Sequence, residues 1–323
     1  MIFDTQTVQN FSRISSRGVF GKALTDIEPS RNDLRVVTAD VTGSARLEEF
    51  VRNAPDKLIN VGIAEQNMIG IAAGLASTGK TVFATSFAPF ASMRCMEMLR
   101  SQLAYMNLNV KVVGLMSGFS GGVVGNTHYG LEDLAITRVI PNMTVLSPAD
   151  GVETYKAVCS AAEMKGPCYI RLTGTNGFTP VYKENFDYQI GKGIILKEGK
   201  DVAMIATGSM VAEAVRAARA LPKNGISATV IDMHTIKPLD TQLLDEVFSS
   251  HKMIVTIEEH FLIGGFGSAV AEYKASKKSI PPQLMIGIPD IFPKAGDYAF
   301  MLNECGLTAP QIAEKITEAY KNL

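Results

Sequence analysis

Short apolar runs recur along this chain at a spacing that suits a sheet wrapped by helices. Leu34 to Ala39, Leu58 to Val61, Val82 to Thr85, Val110 to Met116, Thr144 to Ser147 and Cys168 to Leu172 read as strands, separated by amphipathic or small-residue stretches. Strand-like and helix-like segments in alternation predict a mainly parallel sheet with helices on both faces. Near Gly174 to Gly193 the pattern lapses into Gly, Thr, Asn and Pro followed by polar and aromatic residues, which predicts a linker. The alternation then resumes with strands at Val202 to Ala206, Ala228 to Ile231, Met253 to Ile257 and Leu284 to Ile288. Helices are expected near Val211 to Leu221, Gln242 to Phe248, Gly267 to Lys274 and Pro310 to Tyr320. Ser209 is expected to cap the first of these, and Pro222 and Gly225 to end it. The expectation is an α/β chain of two tandem domains, residues 1–180 and a smaller one at 190–323.

Composition supports two packed cores, with 46% hydrophobic residues in 323. The 31 basic and 32 acidic residues nearly cancel and form no long run of one sign, so neither nucleic acid nor an anionic membrane is an expected partner. Cys95, Cys159, Cys168 and Cys305 form no C-x-x-C pair and lie in apolar periodic segments, as reduced packing thiols do. The amino terminus shows no basic stretch followed by an apolar block. The longest run without Lys, Arg, Asp or Glu, Val112 to Leu131, carries six glycines and reads as a strand and loop, not a membrane span. A cytoplasmic protein is expected.

The residue with most chemical promise is Glu65, in Asn60-Val61-Gly62-Ile63-Ala64-Glu65-Gln66-Asn67-Met68. It falls in the first turn of a small-residue helix at a strand's carboxyl end, the edge along which open α/β sheets bind ligands. A carboxylate there can merely complement the helix dipole, worth about 0.3–1 kcal/mol. It can also be a proton-transfer group.

The segment from Asn60 to Phe90 resembles the pyrimidine-binding domain of transketolases and their thiamine-diphosphate relatives. The resemblance continues through Thr127-His128-Tyr129-Gly130-Leu131-Glu132-Asp133-Leu134, Ile140 to Val145, Ile257-Glu258-Glu259-His260 and Gly264-Gly265-Phe266-Gly267-Ser268, so it covers essentially the whole chain. It implies that Glu65 donates a hydrogen bond to N1′ of the cofactor's aminopyrimidine and favours the imino tautomer that activates the thiazolium carbon; the cofactor supplies the ylid chemistry. Such a carboxyl must hold its proton near neutral pH, so burial is expected to raise its pKa above about 4.3.

Further roles follow from the same resemblance. Phe90 is expected to stack on the pyrimidine, with Phe87 beside it and Met93 where relatives carry another aromatic ring. Two Phe residues three apart are otherwise ordinary core. His128, after the Gly-rich stretch Gly118 to Asn126, corresponds to a histidine touching the donor sugar's oxygens, a task that suits an imidazole; the alternative is a surface histidine. Asp40 is expected near the thiazolium and Ser44 near the sugar phosphate, although both are also routine helix caps. Arg13 corresponds to a phosphate-gripping arginine, or is a solvated helical one. His260 and the glycines after it read as structural, at a subunit interface.

No Gly-Asp-Gly followed by the asparagine that holds Mg²⁺ and the diphosphate in this family occurs here. The resemblance therefore implies that Mg²⁺ (or Ca²⁺) and the diphosphate sit on a partner chain, the N-terminal transketolase subunit of a split enzyme, in an α₂β₂ heterotetramer. Met116 stands where transketolases have a phosphate-contacting histidine, Gly174 where they have an arginine, and Val124 where an aspartate reads a donor hydroxyl. Altered polar groups change discrimination, so a specialised anionic ketose is expected, a sulfonate or a branched or rearranged phosphate. The leading reading is two-carbon ketol transfer to an aldose. The alternatives are 1-deoxyxylulose-5-phosphate synthase-like condensation with pyruvate, a 2-oxoacid dehydrogenase β-type subunit, and a non-catalytic assembly or regulatory subunit.

Overall fold

The computed structural model describes residues 3–11, 14–173, 180–278 and 280–323. Among them, seven strands form a first sheet: β1 (Leu34–Thr38), β2 (Leu58–Asn60), β3 (Thr81–Phe87), β4 (Val110–Ser117), β5 (Thr144–Leu146), β6 (Cys168–Thr173) and, from far along the chain, β10 (Thr235–Lys237). Their order is β10-β5-β6-β4-β3-β1-β2, and every pairing except that of β10 with β5 is parallel. The second sheet has β7 (Ile194–Lys197), β8 (Val202–Ala206), β9 (Ala228–Asp232), β11 (Met253–Phe261) and β12 (Gln283–Ile288) in the order β12-β11-β8-β9-β7, antiparallel only at β7.

The first sheet is buried on both faces, which is why its strands read as continuous apolar runs. On one face Val37, Val82, Ala84, Val110 and Val112 pack with Met68, Ile69, Ala72 and Ala76 of the helix Glu65–Ser77. On the other, Val36, Phe83, Val113 and Ile170 pack with the helices Ser16–Ile27 and Gly151–Glu163. The first cluster also takes in Ile205, Ile231, Val247, Ile254 and Phe266, so the two domains share apolar core.

Three expectations need correction. Ser209 does not cap the helix Met210–Ala217; its hydroxyl instead donates to the buried Glu259 carboxylate, a charge-assisted bond that turns the oxygen away from the helix amides. His260 is fully buried inside the chain and not at its surface: Nδ1 faces the Phe261 carbonyl at 2.7 Å, and Nε2 accepts from the Ala135 amide at 3.3 Å across the domain boundary. Burial lowers its pKa to about 4, so it stays neutral. Finally, β10 crosses from the second half of the chain onto the first sheet, a pairing that a three-residue Thr-Ile-Lys run does not advertise.

Candidate functional site

Four parallel strands lying side by side, β4-β3-β1-β2, deliver their carboxyl ends to one edge of the sheet. Asp40 follows β1, Glu65 follows β2, Phe87 ends β3 and Phe90 follows it, and the Gly-rich loop with His128 follows β4. Segments far apart in sequence thereby share one crevice.

Asp40 adopts φ 59°, an αL conformation rarely taken by non-glycine residues. Its Oδ1 accepts from Asn60 Nδ2 at 2.9 Å while Asn60 Oδ1 accepts from the Asp40 amide at 3.1 Å, tying the ends of β1 and β2 together. Strained backbone at a strand end is a reason to suspect function. Ser44 lies half-buried in the turn after β1, where its carbonyl accepts from Arg17 Nη1 at 3.2 Å. Neither Asp40 nor Ser44 caps a helix: the helices Glu48–Asn53 and Glu65–Ser77 follow Leu47 and Ala64. Arg13 lies outside the described residues.

Glu65 opens its helix and is 3% exposed. Burial is as expected, but so is joined an ionic partner that the sequence did not announce: Arg94 Nη1 stands 2.8 Å from Glu65 Oε2. The Arg94 guanidinium carbon lies 4.3 Å from the centroid of the Phe90 ring. Phe90 to Arg94 form a wide π-type turn, an irregularity frequent at functional sites. Met93 projects from that turn largely exposed.

His128 comes to the same place. Its ring centroid is 5.3 Å from that of Phe90 and 6.2 Å from that of Phe87, edge-on to both, and Phe87 and Phe90 are themselves 6.3 Å apart. Glu65, Phe87, Phe90, Arg94 and His128 thus form one continuous cluster, in which Glu65 is linked to the aromatic rings through Arg94.

The second domain supplies anchors for this loop that sequence reading missed. Glu259 Oε1 accepts from the Phe119 amide at 2.5 Å, and a Cβ on Gly118 would run into the Glu259 carboxylate. Glu259 Oε2 accepts from the Tyr298 hydroxyl at 2.7 Å. Fully buried Arg171 meets both Asp133 oxygens at 3.0 Å and donates to the Gly130 and Glu259 carbonyls at 2.9 and 2.8 Å. The sequence signal was the Glu258-Glu259-His260 run, two of whose partners, Phe119 and Ala135, lie more than a hundred residues away.

The Glu65 carboxyl and the Phe90 face offer a hydrogen-bonding edge and a flat apolar surface, the groups a flat nitrogen heterocycle needs. The planar, hydrogen-bond-donating guanidinium of Arg94 already occupies the space between the Glu65 carboxylate and the Phe90 face.

The transketolase pyrimidine-binding-domain family matches residues 12–178, and the transketolase C-terminal-domain family matches residues 191–312. A putative transketolase C-terminal section of Methanocaldococcus jannaschii is 43% identical, over 94% of this chain and 95% of its own. The 6-deoxy-6-sulfo-D-fructose transketolase subunit of Clostridium sp. (strain MSTE9) is 38% identical, over 90% of this chain and 92% of its own. Among solved structures, a split-gene transketolase described as an inactive beta4 tetramer superposes with TM-score 0.86 at 40% identity, covering 95% of this chain and 98% of that one.

Proposed function

The chain belongs to the transketolase family, and from that premise we propose that it is the cofactor-activating half of a divided active site, working on an anionic ketose. Thiamine diphosphate, when bound, supplies the carbanion-stabilising carbon at which a ketol unit is cleaved from its donor. The chain's own residues do the rest. Glu65 hydrogen-bonds the edge of the pyrimidine and holds the proton that tunes it. Phe90 gives the ring a flat apolar face, with Phe87 and Met93 walling the seat. Asp40 lies towards the thiazolium. His128, against the same aromatic rings, recognises donor hydroxyls and moves protons on the sugar. Arg13 and Ser44 are assigned to the sugar's anionic end. The observation that carries this reading is the convergence of Glu65, Phe90 and His128 at the carboxyl edge of four neighbouring strands.

The partner completes the site. This chain ends its cofactor contacts at the pyrimidine and thiazolium, so Mg²⁺ and the diphosphate are assigned to an N-terminal transketolase subunit, with two copies of each chain in an α₂β₂ assembly. A related chain that is inactive as a β tetramer supports the need for a second subunit. The sulfofructose relative and the Met116 and Val124 positions favour a donor bearing a sulfonate or an unusual phosphate. Free cysteines suit the cytoplasm.

The test is to co-purify the chain with its partner and assay Mg²⁺-dependent two-carbon transfer from ketose phosphates and ketose sulfonates, with Glu65→Ala as control. Transfer that is lost in the control supports the proposal. Pyruvate consumption without ketose turnover replaces it with the synthase-like reading, and equal rates on all common pentose phosphates remove the specialised donor.

A further inference from the structure

Arg94 makes two contacts in the places where the pyrimidine seat is expected to hold its ring, a flat group over Phe90 and a hydrogen bond to Glu65, here with Arg94 as donor. Its guanidinium is flat, it lies over the Phe90 ring at 4.3 Å, and it offers an N–H to Glu65 Oε2 at 2.8 Å. An aminopyrimidine is likewise flat, stacks on an aromatic face and hydrogen-bonds a carboxyl. We propose that Arg94 is a built-in occupant of the cofactor's pyrimidine seat, filling it in the cofactor-free chain and swinging out when the cofactor enters. This rests on the assignment of Glu65 and Phe90 to the pyrimidine.

The local structure suits an occupant that has to leave. The Arg94 backbone is held in place, its carbonyl accepting from Gln66 Nε2 at 3.1 Å, while its side chain is 46% exposed and anchored only through its tip. The long arginine stem can therefore rotate into solvent without unpacking any core residue. Phe90 and Arg94 lie four residues apart in the wide turn Phe90–Arg94, a spacing that keeps the two side chains on one face. There is also a reason for an occupant. Glu65 is nearly fully buried, and a buried carboxylate left without a partner is costly. Arg94 meets that need in the empty state and gives it up to the cofactor, so cofactor binding competes with an ion pair inside the chain.

The competition has a readout independent of turnover. In the complex of this chain with its partner, affinity for thiamine diphosphate and for thiamine is measured by titration calorimetry for wild type, Arg94→Met, Glu65→Gln and Phe90→Ala. Arg94→Met keeps the length of the side chain and removes its charge and plane. The expected result is that it tightens both ligands by roughly tenfold, the scale on which a partly exposed ion pair ceases to compete. Simple loss of positive charge would weaken the anionic diphosphate and favour the cationic thiamine, so tightening of both is specific to vacating the seat. If Glu65→Gln and Phe90→Ala weaken both ligands while Arg94→Met weakens them or leaves them unchanged, Arg94 is not an occupant and the inference fails alone. If Glu65→Gln and Phe90→Ala leave thiamine affinity untouched, the pyrimidine assignment itself falls and takes the inference with it.

Discussion

A pair of carboxyl groups buried where the domains meet yields a quantitative test. Glu153, on the helix Gly151–Glu163, and Asp232, at the end of β9, are fully buried and face each other beside Asp150. Glu153 Oε2 accepts from the Ala149 amide at 2.6 Å and Asp232 Oδ2 from the Tyr182 hydroxyl at 2.8 Å. Among the described residues, Glu153 Oε1 and Asp232 Oδ1 are buried without a hydrogen-bond partner, an arrangement that a proton shared between the two carboxyls would satisfy. Burial, reinforced by the neighbouring Asp232 charge, pushes Glu153 well above the usual carboxylate range, and burial raises Asp232 to about 7. Both groups keep their protons to a higher pH in the folded chain than in the unfolded one. Their contribution is therefore intact in acid and is lost as pH rises from the unfolded values through about 7 and beyond. Glu153→Gln puts a permanent N–H donor in place of the shared proton and keeps the acceptor for Ala149. Wild type loses about 1.4 kcal/mol per pH unit for that proton and the variant does not, so from pH 6 to pH 8 the variant gains up to about 2.7 kcal/mol on wild type. At roughly 2 cal/mol/K of unfolding entropy per residue, this chain should show a Tm gap that widens by about 4 °C. Circular-dichroism melts of both proteins at the two pH values decide it. A gap that stays constant, or narrows towards pH 8, would refute the shared proton.

Other outcomes follow from the same structure. Phe90→Ala should weaken cofactor affinity of the assembled enzyme by about tenfold, from the loss of roughly 1 kcal/mol of stacking and the accompanying area burial, as read by calorimetry. His128→Ala should lower kcat for ketose donors by about a hundredfold or more while leaving that affinity within twofold, since His128 is assigned to the sugar and not to the pyrimidine. Arg171→Met leaves Asp133 buried and unpaired, which should cost about 3–5 kcal/mol and appear as a lowered urea midpoint. Cys95 and Cys168, whose thiols burial pushes up to about 12, should resist thiol reagents at pH 8 until the chain unfolds.

The fold was legible because the strands of both sheets are buried on two faces and so announce themselves as apolar runs. All six strands expected in the first part were found within two residues of their ends, as were β8, β9 and β12, while β11 runs four residues beyond its expected end at Ile257. What escaped were segments with weak local signals: β7 alternates half-buried and exposed residues at a sheet edge, and β10 is three residues long. At the site, Glu65 and His128 stood out because each lies in a contiguous block that matches a family pattern. Arg94 did not. Its place at the site rests on a contact with a buried carboxylate 29 residues away, which its local sequence does not announce.

The role of the second domain could not be read locally either, and it alters how the site should be understood. No residue of that domain is assigned to the pyrimidine, yet its Glu259 takes the Phe119 amide at the start of the Gly-rich loop, and its Pro293 carbonyl accepts from Asn126 Nδ2 at 2.6 Å near the loop's end. Between these two points the backbone carries Gly122 and Gly125 at positive φ, as does Gly118 just before them, conformations that glycine adopts cheaply but that leave the loop little intrinsic stiffness. A loop of this kind positions a catalytic imidazole only if something outside it fixes its ends. Here the Glu259 carboxylate does so from β11, and Arg171 ties the Glu259 carbonyl to the Gly130 carbonyl and to Asp133 on the first domain. His128 is thus placed by a chain of buried charges that runs through both domains. If His128 and Glu65 act as proposed, shortening Glu259 to Ala should impair donor turnover through His128 and spare the pyrimidine seat: kcat for the ketose should fall, while thiamine affinity, assigned to Glu65 and Phe90, should hold. A matched loss of thiamine affinity would mean that the second domain supports the whole crevice and not the loop alone.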